Sequence, residues 1–212
     1  RAEFAADGSV TLLETRHHGV GGNDTITLTA GTNRVLAGAG RDIVGAGDGN
    51  NVVFGDEGRL QVSGGQITVE TVPDGGGTIH GDVDDLDVGV GANSVVGGVA
   101  GDDIDITGAA SGASAVVLGD NGRAVLDETT GNLVSIESTH IASGADDLID
   151  ITNGATAVVG GQGADQITAG GGQNTILADD GAATFFADGK LQLIQATNAG
   201  NGGNDIVSLQ SG

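Results

Sequence analysis

The stretch GAGRDIVGAGDGNNVVFGDEG, Gly38 to Gly58, states one short pattern twice. GAGRDIV at 38–44 returns nine residues later as GDGNNVV at 47–53, and in that step Asp42 gives way to Asn51. The same nine-residue step extends outward. Ile26, Val35, Val44 and Val53 follow one another at that interval, preceded two residues earlier by Asp24, Asn33, Asp42 and Asn51. A later copy runs Ile149, Val158, Ile167 and Ile176, preceded by Asp147, Thr156, Asp165 and Asn174. A middle copy gives Leu86, Val95 and Ile104 after Asp84, Asn93 and Asp102, then breaks step through TGAASGASA before reaching Val117.

A longer period lies over the short one. Ile26, Leu86, Ile149 and Val207 open successive blocks 60, 63 and 58 residues apart. Each complete block closes on an acidic turn: FGDEG (54–58), LGDNG (118–122) and LADDG (177–181). Each block is also preceded by two alternating segments around a turn, with Asp7-Gly8 and Asp188-Gly189 as hairpin turn pairs. The chain therefore divides into modules 1–58, 59–122 and 123–181 and a partial module 182–212. It reads as a segment of a longer tandem array. Apolar residues recur at period 2 and not at 3.6, and Gly turns punctuate every nine residues. The expected fold is all-β: a parallel β-solenoid of nonapeptide half-coils with an inserted β-hairpin per module of about 60 residues. One apolar residue per half-coil makes a thin core, so something else must hold the turns.

Composition sets the outer limits. Of 212 residues 42 are Gly, and there is no Cys, Met, Trp or Tyr. A hydrophobic content of 38%, mostly aliphatic, assigns the glycines to regular turns and not to disorder. Asp plus Glu (29) against Lys plus Arg (7) leaves a net charge of −22. That balance excludes a nucleic-acid partner engaged through phosphate neutralisation and disfavours an anionic membrane surface. No apolar run reaches the ~20 residues of a membrane span. Carboxylates this dense repel in a compact fold unless cations sit among them, the plain alternative being an acidic surface suited to high salt.

GGQGADQIT, Gly160 to Thr168, resembles the G-G-x-G-x-D-x-U-x nonapeptide of RTX (repeats-in-toxin) proteins, where U is a large apolar residue. GGNDTI (21–26), AGAGRDIV (37–44), GGNDIV (202–207) and GVGANSVV (89–96) fit it less fully. The resemblance implies a right-handed parallel β-roll with two nonapeptides per coil. It also implies Ca²⁺ held between turns by Asp carboxylates and by carbonyls around the glycines. On that geometry, residues 18 apart share an edge. Asp24 and Asp42, Asp84 and Asp102, and Asp147 and Asp165 then stack about 4.8 Å apart on one edge, with Asn33 and Asn51 on the other. Stacked carboxylates call for a hard, oxygen-seeking cation, whereas stacked amides hydrogen-bond to one another without one. Thr156 and Ala115 also suit a metal-free edge. The expected calcium ligands are these six Asp residues, their neighbours Asp103 and Asp146, and Asp205 in the last module. Asp56, Asp120 and Asp179 in the closing turns, with Asp180, either complete a further ion site or serve as exits into the hairpin. The competing explanation is that every Asp caps a turn through Asx-type hydrogen bonds, which Asn would do as well. It predicts random alternation.

His17, His18, His80 and His140 fall between hairpin and repeat, but their irregular spacing reads as loop histidines and not as a zinc site. Phe4 and Phe185 occupy equivalent hairpin positions, as core residues would. DTITLT at 24–29 resembles an ice-binding Thr row, which no other module continues, and no catalytic set repeats. The resemblance points to a structural, non-enzymatic segment of a large secreted bacterial surface protein: an adhesin shaft, S-layer or extracellular filament. Its expected partners are calcium and neighbouring copies stacked end to end, with no nucleic acid and no membrane insertion. The alternatives are an RTX secretion module appended to an exported enzyme, and an acidic solenoid that needs no calcium.

Overall fold

The computed structural model describes residues 1–108, 114–198 and 200–210, so the centre of the irregular TGAASGASA turn lies outside the described residues. Among those residues every regular element is a strand. The strands form three sheets.

The first, here the outer sheet, has seven parallel strands: Thr25–Leu28, Ile43–Ala46, Asp85–Val90, Asp103–Gly108, Leu148–Asn153, Gln166–Gly171 and Ile206–Leu209. The middle sheet has six: Arg34–Leu36, Val52–Phe54, Ser94–Val96, Ser114–Leu118, Ala155–Gly161 and Asn174–Asp179, again parallel. The chain alternates between the two, nine residues per strand in the regular copies. Their facing side chains form one core containing Val44, Leu86, Ile104, Ile149 and Ile167 from the outer sheet and Val35, Val53, Val95, Val117 and Val158 from the middle.

The third sheet is an eight-stranded antiparallel meander of four hairpins: Ala2–Phe4 with Val10–Glu14, Gly58–Ser63 with Gln66–Thr71, Gly122–Asp127 with Leu133–Ser138, and Gly181–Phe185 with Leu191–Ala196. It covers the far face of the middle sheet. Phe54, Val96, Leu118 and Val159 pack there against Leu60, Val69, Ala124 and Ile136 in a second core. The core is thus thicker than one apolar residue per half-coil suggests. From one hairpin to the next the chain adds two strands to each sheet, so the three sheets rise together at one strand spacing per step.

Burial follows the sequence pattern. DIDITG of the outer sheet alternates exposed and buried because one face meets solvent, whereas VVF and SVV of the middle sheet are buried throughout because both faces are covered. The closing turn ends in Gly for a packing reason. A Cβ at Gly58, Gly122 or Gly181 would overlap the side chain of Phe54, Leu118 or Leu177, the apolar residue four positions earlier. On the hairpin sheet, Arg59, Glu70, Arg123 and Glu137 form a cross-strand row of alternating charge. The two equivalent phenylalanines differ: Phe185 packs against the second core, but Phe4, on the first strand of its sheet, is 62% exposed.

Candidate metal centre

Two columns of polar residues run up the structure where the chain crosses between the parallel sheets. Asp24, Asp42, Asp84, Asp102, Asp147, Asp165 and Asp205 each stand immediately before an outer-sheet strand. Asn33, Asn51 and Asn93 each stand immediately before a middle-sheet strand, and Thr156 and Asn174 continue their column.

The Asp column is bonded as one ladder. The amide N–H of Asp24 donates to Oδ1 of Asp42 (2.7 Å), Asp42 to Asp84 (2.7 Å), Asp84 to Asp102 (2.8 Å), Asp102 to Asp147 (2.7 Å), Asp147 to Asp165 (2.9 Å) and Asp165 to Asp205 (3.0 Å). The ladder does not notice the inserted hairpins. Asp42 and Asp84 are 42 residues apart, Asp102 and Asp147 are 45 apart, and both pairs are bonded like those 18 apart. One oxygen per carboxylate is thereby used. Oδ2 of Asp42, Asp84, Asp102, Asp147 and Asp165 is buried and has no hydrogen-bond partner.

Those free oxygens face more acceptors. A Cβ built on Gly97 would overlap both Asp102 Oδ2 and the carbonyl of Gly119. One on Gly119 would meet Asp147 Oδ2 and the carbonyl of Gly160, and one on Gly160 would meet Asp165 Oδ2 and the carbonyl of Ala178. Glycine therefore keeps open a space lined by carboxylate and carbonyl oxygens at successive levels. Acceptors cannot satisfy one another, so each buried oxygen needs a proton or a cation. Burial pushes the carboxyls up: Asp84 and Asp165 to about 7, Asp102 to about 9, and Asp147 well above the ordinary carboxylate value. Neighbouring carboxylates add to the rise, and the backbone N–H bonds partly oppose it.

The amide column solves the same geometry with protons of its own. Asn51 Oδ1 accepts from Asn33 Nδ2 (2.8 Å), and Asn93 Oδ1 from Asn51 Nδ2 (3.1 Å). Each Nδ2 also donates to the carbonyl four residues earlier, Asn51 to Gly47 (2.9 Å) and Asn93 to Gly89 (2.8 Å). Asn174 repeats that last bond to Gly170 (3.0 Å), although Thr156 Oγ1 and Asn174 Oδ1 have no partner.

The remaining expected ligands separate into groups. Asp56 and Asp120 occupy equivalent places beneath the Asp column. Asp56 accepts from Asp82 N–H (3.3 Å) and Val99 N–H (2.7 Å), and Asp120 from Ala145 N–H (3.2 Å) and Gln162 N–H (2.5 Å). Each ties two successive loops of the column together, while burial raises their pKa to about 9 and about 8. Asp179 lies against Gly202 and Asp205, with a buried Oδ1 that has no partner. Asp146 accepts from Ala164 N–H (2.7 Å) on the exposed side of the column. Asp103 points away altogether. It begins an outer strand whose alternation puts Ile104 inside, so Asp103 faces solvent beside Asp85.

Glu57 is the buried acid that the repeat pattern did not reveal. It is 1% exposed and accepts from Gly19 N–H (2.6 Å) and His80 N–H (3.3 Å), with His18 Nδ1 at 2.9 Å. His80 in turn pairs with Asp74 (3.3 Å). The only sequence signal was the recurrence of histidine between hairpin and repeat. Two of those histidines bridge loops and are not simply solvated. Among the described residues, no three His, Asp or Glu side chains converge as a ready-made metal cage. A cation in the Asp column must therefore complete its shell with backbone carbonyls, an all-oxygen set of the kind Ca²⁺ accepts.

Comparison with protein families matches the RTX calcium-binding nonapeptide repeat in four copies, over residues 18–53 and 150–185. Comparison with curated proteins and with solved structures gives no match. The matched residues cover about a third of the chain, and the ladder through Asp84 and Asp102 continues between them. The chain carries RTX repeats, and calcium is the metal such repeats bind.

Proposed function

We propose that the chain is a calcium-stabilised structural segment of a large secreted bacterial surface protein, an adhesin shaft, S-layer or filament. In this reading the outer and middle sheets are the two walls of a right-handed parallel β-roll. The hairpin sheet braces one wall, and each stretch of about 60 residues is one repeating module. The observation that carries the reading is the row of five buried Asp Oδ2 atoms without partners, set beside an amide column whose side chains are bonded through Asn33, Asn51 and Asn93. Asp42, Asp84, Asp102, Asp147 and Asp165 would hold Ca²⁺ together with glycine carbonyls, and the bound ion supplies the positive charge that lets these acids ionise while buried. Asp56 and Asp120 would order the loops on which those carbonyls sit.

The same arrangement couples the metal to folding. In a low-calcium compartment the buried carboxylates oppose compaction, while outside the cell, millimolar calcium shifts the balance towards the folded state by mass action. Nothing in the ladder supplies a nucleophile or an acid–base pair directed at a substrate, which favours a mechanical role. End-to-end stacking of copies would extend the three sheets in register.

Far-UV circular dichroism during calcium titration, with magnesium as control, tests this. The expected result is cooperative gain of β-structure near millimolar calcium and little response to magnesium, whose small octahedral shell suits carbonyls of a fixed coil poorly. Full β-structure in chelator, unchanged by calcium, would leave the Asp column as turn caps.

A further inference from the structure

The hairpin sheet joins the middle sheet at the Asp column but stands away from it at the hairpin tips, and the gap there is a groove along the amide column. Its deepest part is a cavity of about 580 Å³, within the range of small-molecule sites. Thr130, Gly131 and Gly189 of two hairpin tips form one wall, and Asn50, Gln173 and Asn174 lie on the amide-column side. The groove continues past Asn50 and Gly131 into a second cavity of about 310 Å³, and from there past Arg34 and Glu128 into a third of about 560 Å³ beside the first hairpin.

Charge sets this cavity apart. The protein carries −22, yet none of the residues lining the 580 Å³ cavity is charged. What they present is amides (Asn50, Gln173) and hydroxyls (Thr130, Thr175), beside Phe185 and Leu191. Amides and hydroxyls both donate and accept, and so does a sugar hydroxyl, while the ring and the leucine offer an apolar face. An anionic ligand would be repelled by the field of the whole molecule, and a cation would meet no carboxylate in this cavity.

We propose that this groove binds a neutral oligosaccharide, lying across the hairpin tips with its sugar hydroxyls on Asn50, Gln173 and Thr175. The two cavities beyond it, where Arg34, Glu128 and Asp7 lie, give an extended chain room past this uncharged segment. The proposal goes beyond the calcium reading and does not depend on it, since the groove lies on the opposite side of the roll from the Asp column.

The test uses calcium-loaded protein on an array of neutral glycans built from hexoses and N-acetylhexosamines, with polygalacturonate as the anionic control. Saturation-transfer difference NMR then follows any neutral oligosaccharide that binds. Gln173→Ala and Asn50→Ala each remove one amide, and circular dichroism checks that both variants stay folded. The expected result is binding of a neutral oligosaccharide that weakens about tenfold in either variant, with polygalacturonate not retained. Three results overturn the proposal: no neutral glycan retained, binding unchanged in both variants, or polygalacturonate bound as well as the neutral chains. A failure of the calcium reading looks different, because it appears as a chelator-insensitive fold with glycan binding untouched.

Discussion

The two polar columns of this molecule do the same structural task with residues that differ by an NH₂ group and an oxygen. In both, a side-chain oxygen accepts a bond from the level below, and the second polar atom turns towards backbone carbonyls. In the amide column that atom is Nδ2, and it donates to Gly47, Gly89 and Gly170. In the Asp column it is Oδ2, which has nothing to donate and in five of the seven residues is buried without a partner. From Asn33 to Asn93 the amide column supplies its own donors, whereas the Asp column is complete only with a proton or a cation. The lesson is that Asp in place of Asn on one side of a repeat leaves a row of buried oxygens in need of a proton or a cation, with no change of backbone path.

Cutting each column tests that contrast most strongly. Asp102→Ala removes the acceptor of Asp84 N–H and the central buried carboxylate, so we expect a loss of about 3–5 kcal/mol in calcium, seen as a fall in thermal midpoint, with a weakened calcium response. Asn51→Ala should cost about 1–3 kcal/mol of thermal stability in calcium and leave the calcium response unweakened. Equal calcium dependence in the two variants would erase the distinction.

A smaller effect is expected from the space between the levels. Gly97→Ala places a methyl where Asp102 Oδ2 and the Gly119 carbonyl approach, and calcium affinity should fall about tenfold by titration calorimetry. Gly49→Ala, whose Cβ would meet the Gly31 carbonyl at φ +134, should lower stability without changing the calcium dependence of what remains.

A separate effect is the response to pH without metal. Asp84 and Asp165 have folded-state pKa values raised to about 7 and Asp102 to about 9, against an unfolded value near 3.8. The folded state therefore holds protons that the unfolded chain releases. Stability is greatest at low pH and is lost as pH rises from about 4 through about 9. In chelator the folded population, read by far-UV circular dichroism and melting, should be largest near pH 5 and fall towards pH 9, and calcium should flatten the profile. A metal-free midpoint that rises over that range would show that these acids are stabilised as anions by something other than calcium.

Much of this was legible in the sequence, for reasons that particular residues make plain. A strict nine-residue step, read with the two nonapeptides per coil that the RTX resemblance implies, put Asp24 over Asp42 and Asn33 over Asn51, so the two columns were visible in the sequence. The ladder across the hairpins was not, because bonding Asp42 to Asp84 requires knowing that 42 residues of chain return to the next level. Asp103 was grouped with the ladder as the neighbour of Asp102, yet period-2 alternation through Ile104 and Ile106 turns it to solvent. The third layer also left a trace. Unbroken VVF and AVVL in the middle strands, beside alternating DIDIT in the outer ones, mark a sheet covered on both faces, but no local pattern shows that the hairpins are the cover. Glu57 escaped because its partners, Gly19 and His18, lie 38 and 39 residues away.

The most direct test replaces Asp42, Asp84, Asp102, Asp147 and Asp165 with Asn together and records the circular dichroism spectrum and melt in chelator. If the buried Oδ2 atoms are the reason for the metal, the five amides supply the missing protons. The variant then folds without calcium, and added calcium leaves its midpoint nearly unchanged. A variant that still requires calcium to gain β-structure would contradict the account, because the requirement would then reside outside the Asp column.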